Sequence, residues 1–106
     1  MLEAAGMTWV ASNWRCAAGE LDLIMQQGEM MVCVEVKVRT GSSRGTAEEA
    51  VTPSKAAKLL ETSAWFMAEH FPVAEPVWRI DLVAITLDHS GKVVRRTHIE
   101  NAIVTG

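Results

Sequence analysis

Apolar and polar positions alternate in two neighbouring segments of the chain, 20–26 and 30–38. A period of two residues is typical of a strand with one buried face, because successive side chains point to opposite sides. Gln27-Gly28-Glu29 between them has hairpin length, and Gly28 can adopt the positive φ of a tight turn. The pattern predicts two antiparallel strands. One face of the first strand carries Leu21, Leu23 and Met25, and its other face carries Glu20, Asp22, Ile24 and Gln26. One face of the second strand carries Val32, Val34, Val36 and Val38, and its other face carries Met31, Cys33, Glu35 and Lys37.

A helical period begins after Thr52-Pro53 and predicts one long helix that ends at about Glu69 or His70. Threonine is a favourable N-cap, and proline suits the first helical position because its φ is already close to the helical value. At 100° per residue the apolar residues form one stripe and several polar residues lie opposite. The predicted stripe is Ala56, Leu59, Leu60, Ser63, Phe66 and Met67, and the opposite face carries Lys55, Lys58, Thr62 and Trp65.

The remaining segments complete an α/β pattern. We expect the end of a helix over 1–6, a short strand over 7–13, a central strand over 77–87 and a last strand over 93–99, after a turn at 88–91. The polar, glycine-rich stretch 39–45 predicts a surface loop, and Thr46 can cap a short turn over 47–50. Strands and helices in this order predict a single α/β domain spanning 1–106.

Composition limits the classes of protein to consider. A chain of 106 residues with 49% hydrophobic content has room for one compact core. A net charge of −3 gives no overall attraction to phosphate backbones, so nucleic-acid binding requires a local basic patch. Two cysteines without a C-x-x-C pattern, and three histidines without metal-binding spacing, argue against a zinc site. The absence of a long apolar run or a signal peptide predicts a cytoplasmic protein with no membrane contact.

Charged side chains of the predicted hairpin cluster in either of two turn registers. A turn at 28–29 sets Asp22 opposite Glu35, and a turn at 27–28 sets Glu20 there instead. The purely structural interpretation is a solvated sheet face with a cross-strand acid–base pair, which stabilises the sheet by about 0.2–1 kcal/mol. The functional interpretation is that neighbouring carboxylates repel one another and so favour either a proton or a bound hard cation such as Mg²⁺ or Mn²⁺. Such a cation can assist phosphodiester hydrolysis while Lys37 steadies either the attacking water or the developing negative charge.

Several motifs then resemble the YraN-like family, in order along nearly the whole chain. They are Asn13-Trp14-Arg15-Cys16, Gly19-Glu20-Leu21-Asp22-Leu23-Ile24, Val34-Glu35-Val36-Lys37-Val38-Arg39, Ala50-Val51-Thr52-Pro53 and Ile99-Glu100-Asn101-Ala102. The resemblance implies a restriction-endonuclease-like, PD-(D/E)xK fold, a mixed β-sheet with an antiparallel hairpin and flanking helices, similar to Holliday-junction resolvases. It also implies site roles: Asp22 and Glu35 as ligands of Mg²⁺ or Mn²⁺, Lys37 as the catalytic lysine, and Glu20 as a supporting acid.

Two departures from that family's pattern affect the expected site. Members usually begin with a longer helix that carries a Gly-Glu pair, and Met1 follows that point, so we expect the N-terminal helix to be truncated. Members often have a glutamine in the helix after Thr-Pro, where this chain has Lys55, Ala56 and Ala57. The alternative function is therefore a catalytically inactive nucleic-acid-binding or protein-interaction module on the same fold.

Basic and aromatic residues supply the candidate contacts to DNA, branched or single-stranded. The basic candidates are Arg39, Arg44, Lys55 and Lys58, and the alternative is ordinary surface charge offset by nearby acids. Trp65 can stack on a base, but burial under the chain termini or against a partner subunit, as in a homodimer, is the favoured expectation. Asp81 echoes Asp22 in its surroundings, yet a structural role as partner of Arg79 or Arg15 is the better expectation. We expect the other tryptophans, Trp9, Trp14 and Trp78, in the core.

Overall fold

A five-stranded sheet with one long helix forms the architecture in a computed structural model, which describes residues 2–41 and 51–103. The strands lie in the sheet in chain order and all neighbours are antiparallel except the third and fourth, which are parallel. The elements are a 3₁₀ turn (Glu3–Ala5), β1 (Thr8–Cys16), β2 (Gly19–Gln27), β3 (Met30–Thr40), α1 (Pro53–His70), β4 (Trp78–Leu87) and β5 (Val93–Ile99). This mixed α/β sheet is consistent with the predicted restriction-endonuclease-like fold, with one α-helix in the described segments where flanking helices were expected.

The hairpin of β2 and β3 takes the first of the two predicted registers. Gln27 pairs with Met30 across a two-residue turn, and Gly28 there has a φ of 61°, which is costly for other residues. The pairing continues to Leu23 and Val34. Arg39 and Thr40 extend β3 and so were wrongly assigned to the loop, whereas the rest of that predicted loop after Gly41 and the turn at 47–50 lie outside the described residues.

Helix α1 forms the crossover that a parallel pair of strands requires, here between β3 and β4. It begins and ends where the sequence predicts, and the Thr52 hydroxyl accepts a hydrogen bond of 3.3 Å from the Lys55 amide. Thr62 is buried although the prediction placed it on the outer face. Its hydroxyl donates to the Lys58 carbonyl at 2.8 Å, which satisfies the polar atom inside the core.

The sheet carries an apolar cluster on each face, and only one of them includes residues of α1. Leu21 and Ile24 both belong to the cluster on the helix side, whereas Leu23 and Met25 belong to the other. The strict alternation predicted for β2 is therefore wrong at Leu21. The change occurs between Leu21 and Leu23, where the pairing of β2 with β3 ends.

The four tryptophans divide between the core and the surface. Trp14 packs edge-on against Phe66 with ring centroids 5.3 Å apart, and Trp78 packs against the same cluster, as predicted. Trp9 is 62% exposed, so its predicted core position is wrong. It lies on edge strand β1, next to an irregularity in the pairing with β2. Trp65 is 52% exposed on the outer face of α1, so burial under the described parts of the chain termini is not found, and burial against a partner subunit stays a prediction.

Candidate active site

The candidate site lies where β2 leaves β3. Beyond the last pair, Leu23 and Val34, the two strands no longer form ladder hydrogen bonds, because β2 continues along β1 instead, with Leu21 opposite Trp14. The Asp22 carboxylate occupies the opening and accepts a hydrogen bond of 2.9 Å from the Val36 amide. A side chain thus satisfies a backbone donor of β3 and holds Asp22 beside Glu35.

Asp22 and Glu35 form a hydrogen-bonded carboxyl pair. Burial raises the pKa of Glu35 to about 7, and the hydrogen bond with Asp22 and the negative charge of Asp22 act in the same direction. The ammonium group of Lys37, whose Nζ lies 3.8 Å from Glu35 Oε2, lowers this pKa but by less. Near neutral pH Glu35 therefore retains a proton in a large fraction of the molecules, because two close carboxylates repel each other.

Lys37 reaches this pair because it lies two residues after Glu35 on the same face of β3. Its side chain is 27% exposed and that of Glu35 is 15% exposed, so their interaction is screened by water less than a surface ion pair is. The structure thus brings Asp22, Glu35 and Lys37 together, as the sequence predicts for three of the four members of the cluster.

Glu20 does not join this group. In the register of β1 and β2 it lies opposite Arg15, and its Oε2 forms an ion pair with Arg15 Nε near the surface. The sequence-based register placed Glu20 beside Lys37 because it assumed that β2 and β3 stay paired along their full length. Separation of the strands at Asp22 turns Glu20 toward β1 instead.

The donor atoms of the pair suit a hard divalent cation. Within the segments 2–41 and 51–103, no group of three or more His, Cys, Asp or Glu side chains is arranged to hold a metal ion. Mg²⁺ is commonly held by only one or two carboxylates, with waters and substrate phosphates completing its coordination. Asp22 and Glu35 fit that mode of binding, since both present carboxylate oxygen atoms, and a cation would displace the proton that Glu35 retains near neutral pH.

A cavity of about 390 Å³ opens beside Glu35. The first turn of α1 contributes Thr52, Pro53 and Ala56 to its wall, and apolar residues such as Leu82 and Ile99 contribute the floor. Sequence reasoning missed this part of the site, because it used Thr52-Pro53 only as the start of a helix. The order β3, α1, β4 could have predicted it. In a crossover between parallel strands the helix packs back onto the sheet, so the start of α1 comes close to β3.

The predicted basic contacts are distributed over two elements. Arg39 is exposed near the end of β3, Lys55 and Lys58 are exposed on α1, and Arg44 lies outside the described residues. The stem of Lys58 lies close to Gly19, where an added Cβ would be 3.4 Å from Lys58 Cε and 2.9 Å from Thr62 Oγ1. A glycine at this position therefore allows α1 to approach β2.

A second polar cluster surrounds Asp81, which is completely buried. Arg79 donates to both of its carboxylate oxygens at 2.8 and 3.1 Å, His98 Nε2 lies 2.8 Å from Oδ2, and the Asn101 amide donates to Oδ1 at 2.9 Å. Burial alone raises the pKa of Asp81, but the hydrogen bonds from Arg79, Asn101 and His98 together lower it below its ordinary value. The structural role predicted for Asp81 as partner of Arg79 is confirmed.

Comparison with known proteins places this architecture in a family. The model of the uncharacterised protein family UPF0102 matches residues 1–85, a range that contains Asp22, Glu35, Lys37 and all of α1. The chain belongs to the UPF0102 family. This confirms the YraN-like resemblance, and the UPF0102 assignment leaves the activity open because the family is described as uncharacterised.

Curated UPF0102 relatives are similar over most of the chain. The protein of Kineococcus radiotolerans is 44% identical over 90 residues, covering 85% of this chain and 74% of the relative. That of Frankia casuarinae is 43% identical over 101 residues, covering 95% of this chain and 84% of the relative. That of Beutenbergia cavernae is 47% identical over 90 residues, covering 85% of this chain and 75% of the relative.

No helix within 2–41 and 51–103 is long and apolar enough to cross a membrane.

Proposed function

We propose that this protein is a metal-dependent nuclease-type domain that hydrolyses phosphodiester bonds in DNA, with branched or single-stranded DNA as the substrate class. The observation that supports the proposal is the half-buried carboxyl pair of Asp22 and Glu35 with Lys37 3.8 Å from Glu35. An ordinary solvated sheet face would instead leave its carboxylates apart, in water, at their usual pKa.

Each member of the group has a distinct chemical role in this proposal. Asp22 and Glu35 would hold Mg²⁺ or Mn²⁺, which supplies Lewis-acid activation of the phosphodiester and of a water molecule when it is bound. The Val36 amide donates to Asp22 Oδ2 at 2.9 Å and so orients the carboxylate. The lone pairs of the other oxygen, Oδ1, stay available to a cation. Lys37 stabilises the negative charge that develops on the phosphoryl oxygens, since its ammonium group lies next to the pair.

Local positive charge brings the substrate to these residues. The chain has a net charge of −3, so attraction to DNA must come from one surface rather than from the whole molecule. Arg39 lies two residues after Lys37 on β3, and Lys55 and Lys58 lie in the first and second turns of α1, of which the first borders the cavity. All three side chains are exposed. Contacts of this kind would position a phosphate backbone without reading its sequence.

Cleavage assays with site variants test the proposal. The purified protein is given branched, single-stranded and duplex DNA with Mg²⁺ or Mn²⁺, beside Asp22→Asn, Glu35→Gln and Lys37→Gln. We expect each variant to lose roughly 100-fold or more in rate, because each removes a ligand or a positive charge at the reacting group. Glu61→Gln, an exposed change on α1, is the matched control. Equal cleavage by Glu35→Gln and Glu61→Gln would contradict the proposal.

A non-catalytic DNA-binding module is the second candidate. The observation that favours it is that the described segments offer the carboxyl pair no third side-chain ligand. This candidate predicts no cleavage of any substrate, together with salt-dependent DNA binding that survives Glu35→Gln and is weakened by Lys58→Gln. Failure to bind DNA at low salt would exclude it and leave a protein-interaction role.

A further inference from the structure

The strand register places a second row of basic side chains beyond the candidate site. Because β3 and β4 are parallel and β4 and β5 antiparallel, residues directly opposite one another in all three strands share a face. Three successive rows on the face of the site are Glu35–Leu82–Ile99, Lys37–Ala84–Thr97 and Arg39–Thr86–Arg95. Charge along this face therefore changes from the carboxyl pair to three cations as β3 runs toward its carboxyl end.

Arg39 and Arg95 flank Thr86 in the outermost row. Neighbouring strands lie about 4.8 Å apart, so the backbones under these two arginines are about 10 Å apart. Both arginines are exposed and Thr86 is half-buried, so the row presents two long cationic side chains around a hydroxyl. The six side chains of the two outer rows include no carboxylate.

We propose that Arg95 is a DNA-contacting residue, which with Arg39 holds the phosphate backbone of a strand that leaves the candidate site across β3, β4 and β5. The charge of this face is complementary to a phosphate backbone, because guanidinium groups bind phosphate oxygens in a bidentate manner. The hydroxyls of Thr86 and Thr97 are donors of the kind that contact DNA backbones. This inference rests on the proposed DNA-binding function and adds a binding residue to it.

The neighbouring residue, Arg96, provides an internal control. It lies opposite Ile85, which in turn lies opposite Val38, so its side chain belongs to the other face of the sheet. Arg95 and Arg96 are adjacent in the chain, carry the same charge and are both exposed. If DNA binding depended only on general electrostatic attraction, Arg95 and Arg96 would contribute equally to the affinity. If the phosphate backbone lies across the face of the site, the affinity depends on Arg95.

Equilibrium binding of the full chain to fluorescent single-stranded and branched DNA tests the inference, with EDTA present so that binding is separated from cleavage. We expect Arg95→Gln to weaken binding several-fold and to reduce the slope of log affinity against log salt by about 1. Arg96→Gln should bind as the unsubstituted protein does, and Arg95→Lys should retain most of the affinity because it keeps the charge. Arg39→Gln should reproduce the effect of Arg95→Gln.

The outcomes separate this inference from the proposed function. Equal affinities and salt slopes for Arg95→Gln and Arg96→Gln overturn the inference, whereas cleavage of DNA by the unsubstituted protein in the separate assay with Mg²⁺ or Mn²⁺ would leave the proposed function standing. Selective loss of binding in Arg95→Gln supports the inference, even where no cleavage is found and the proposed activity fails. Absence of DNA binding by the unsubstituted protein at low salt overturns both. Thermal unfolding of each variant verifies that the compared proteins are folded.

Discussion

Asp22 connects the backbone geometry of the sheet to the chemistry of the candidate site. One of its oxygens takes the place of a ladder carbonyl for the Val36 amide, and the same carboxyl group faces Glu35. An asparagine could accept the first hydrogen bond equally well, but it carries no charge to raise the pKa of Glu35 and is a weaker ligand for a hard cation. The carboxylate is therefore needed for the proposed chemistry rather than for the fold.

Substitution of Asp22 should change the titration of Glu35. We expect Asp22→Asn to lower the pKa of Glu35 from about 7 toward its ordinary value, because the neighbouring negative charge is gone. Burial is the larger cause of the raised pKa, so part of the shift should remain. Carboxyl-carbon NMR titration of the metal-free protein measures this pKa, and Glu61→Gln should leave it unchanged. An unaltered titration of Glu35 in Asp22→Asn would show that the two carboxyl groups do not interact.

Asp81 supports the stability of the fold, and it also lies in the wall of the cavity beside Glu35. We expect Asp81→Asn to cost about 3 kcal/mol at pH 7, because the half-buried guanidinium of Arg79 is left with only the exposed Glu100 carboxylate, 3.8 Å away, as counter-charge. The pKa of Asp81 is lowered by folding, so its contribution is complete above its ordinary value of 3.8 and is lost as the pH falls through the lower folded value. Urea unfolding at pH 7 and pH 3 should therefore show a smaller difference between the two proteins at pH 3. A constant difference would contradict the assignment.

At the scale of elements, α1 both closes the core and borders the site. Its buried face packs against β2 and β4 through residues such as Leu59 and Phe66, while its first turn lines the cavity beside Glu35. The start of the helix is set locally, by a threonine cap followed by proline. A change in the cap therefore affects helix stability and the wall of the cavity together.

Removal of the Thr52 hydroxyl should destabilise the protein modestly. We expect Thr52→Ala to lower the free energy of unfolding by about 1 kcal/mol, because the Lys55 amide loses its acceptor. Thr52→Ser keeps the hydroxyl and should stay close to the unsubstituted protein. Chemical denaturation followed by circular dichroism measures both. Equal stability of the alanine and serine variants would mean that the 3.3 Å contact contributes nothing.

Two motifs that carried the family resemblance have structural roles at this scale. Asn13 and Asn101 both have positive φ, a conformation that asparagine tolerates better than most residues. Asn101 donates its amide to Asp81, and Ala102 donates to the Ile80 carbonyl at 2.8 Å. The Ile99-Glu100-Asn101-Ala102 motif thus joins the end of β5 to β4, and its Ile99 and Ala102 line the cavity beside Glu35.

At the scale of the whole molecule, a weakly acidic chain presents a carboxyl pair and several basic side chains on one face of a mixed sheet. Net charge of −3 attracts divalent cations in a general way, so cation binding at the pair must be distinguished from that background. The two carboxyl groups provide the means, since neutral isosteres remove the site, and neutralising two exposed acids elsewhere, as in Glu61→Gln with Glu69→Gln, makes the same change in formal charge.

Binding of Mg²⁺ should stabilise the folded protein through this pair. At ten times its dissociation constant the cation would contribute about 1.4 kcal/mol, which raises the melting temperature by several degrees for a domain of this size. Differential scanning calorimetry with and without MgCl₂ measures the shift. The double variant Asp22→Asn, Glu35→Gln should lose it and retain only the general charge effect. An equal shift in both proteins would place the bound cation elsewhere.

Local pattern predicted most elements because their causes are local. The period of two predicted β2 and β3, the Gly28 turn restricted their register to two choices, and Thr52-Pro53 located the start of α1. The errors occurred where distant segments decide. Thr62 is buried because α1 lies close to Gly19, and Trp9 is exposed because β1 is an edge strand, neither of which is visible in the period of its own segment.

The sequence by itself determined the strands, the helix and two possible hairpin registers, one of which sets Asp22 beside Glu35, because alternation, turn length and capping act over a few residues. Only the tertiary structure decided which charges meet. Separation of β2 from β3 turned Glu20 to Arg15, and the parallel pairing of β3 with β4 aligned Arg39 with Arg95 across Thr86. These contacts depend on how strands distant in the chain are ordered in the sheet, and burial of the whole core sets that order.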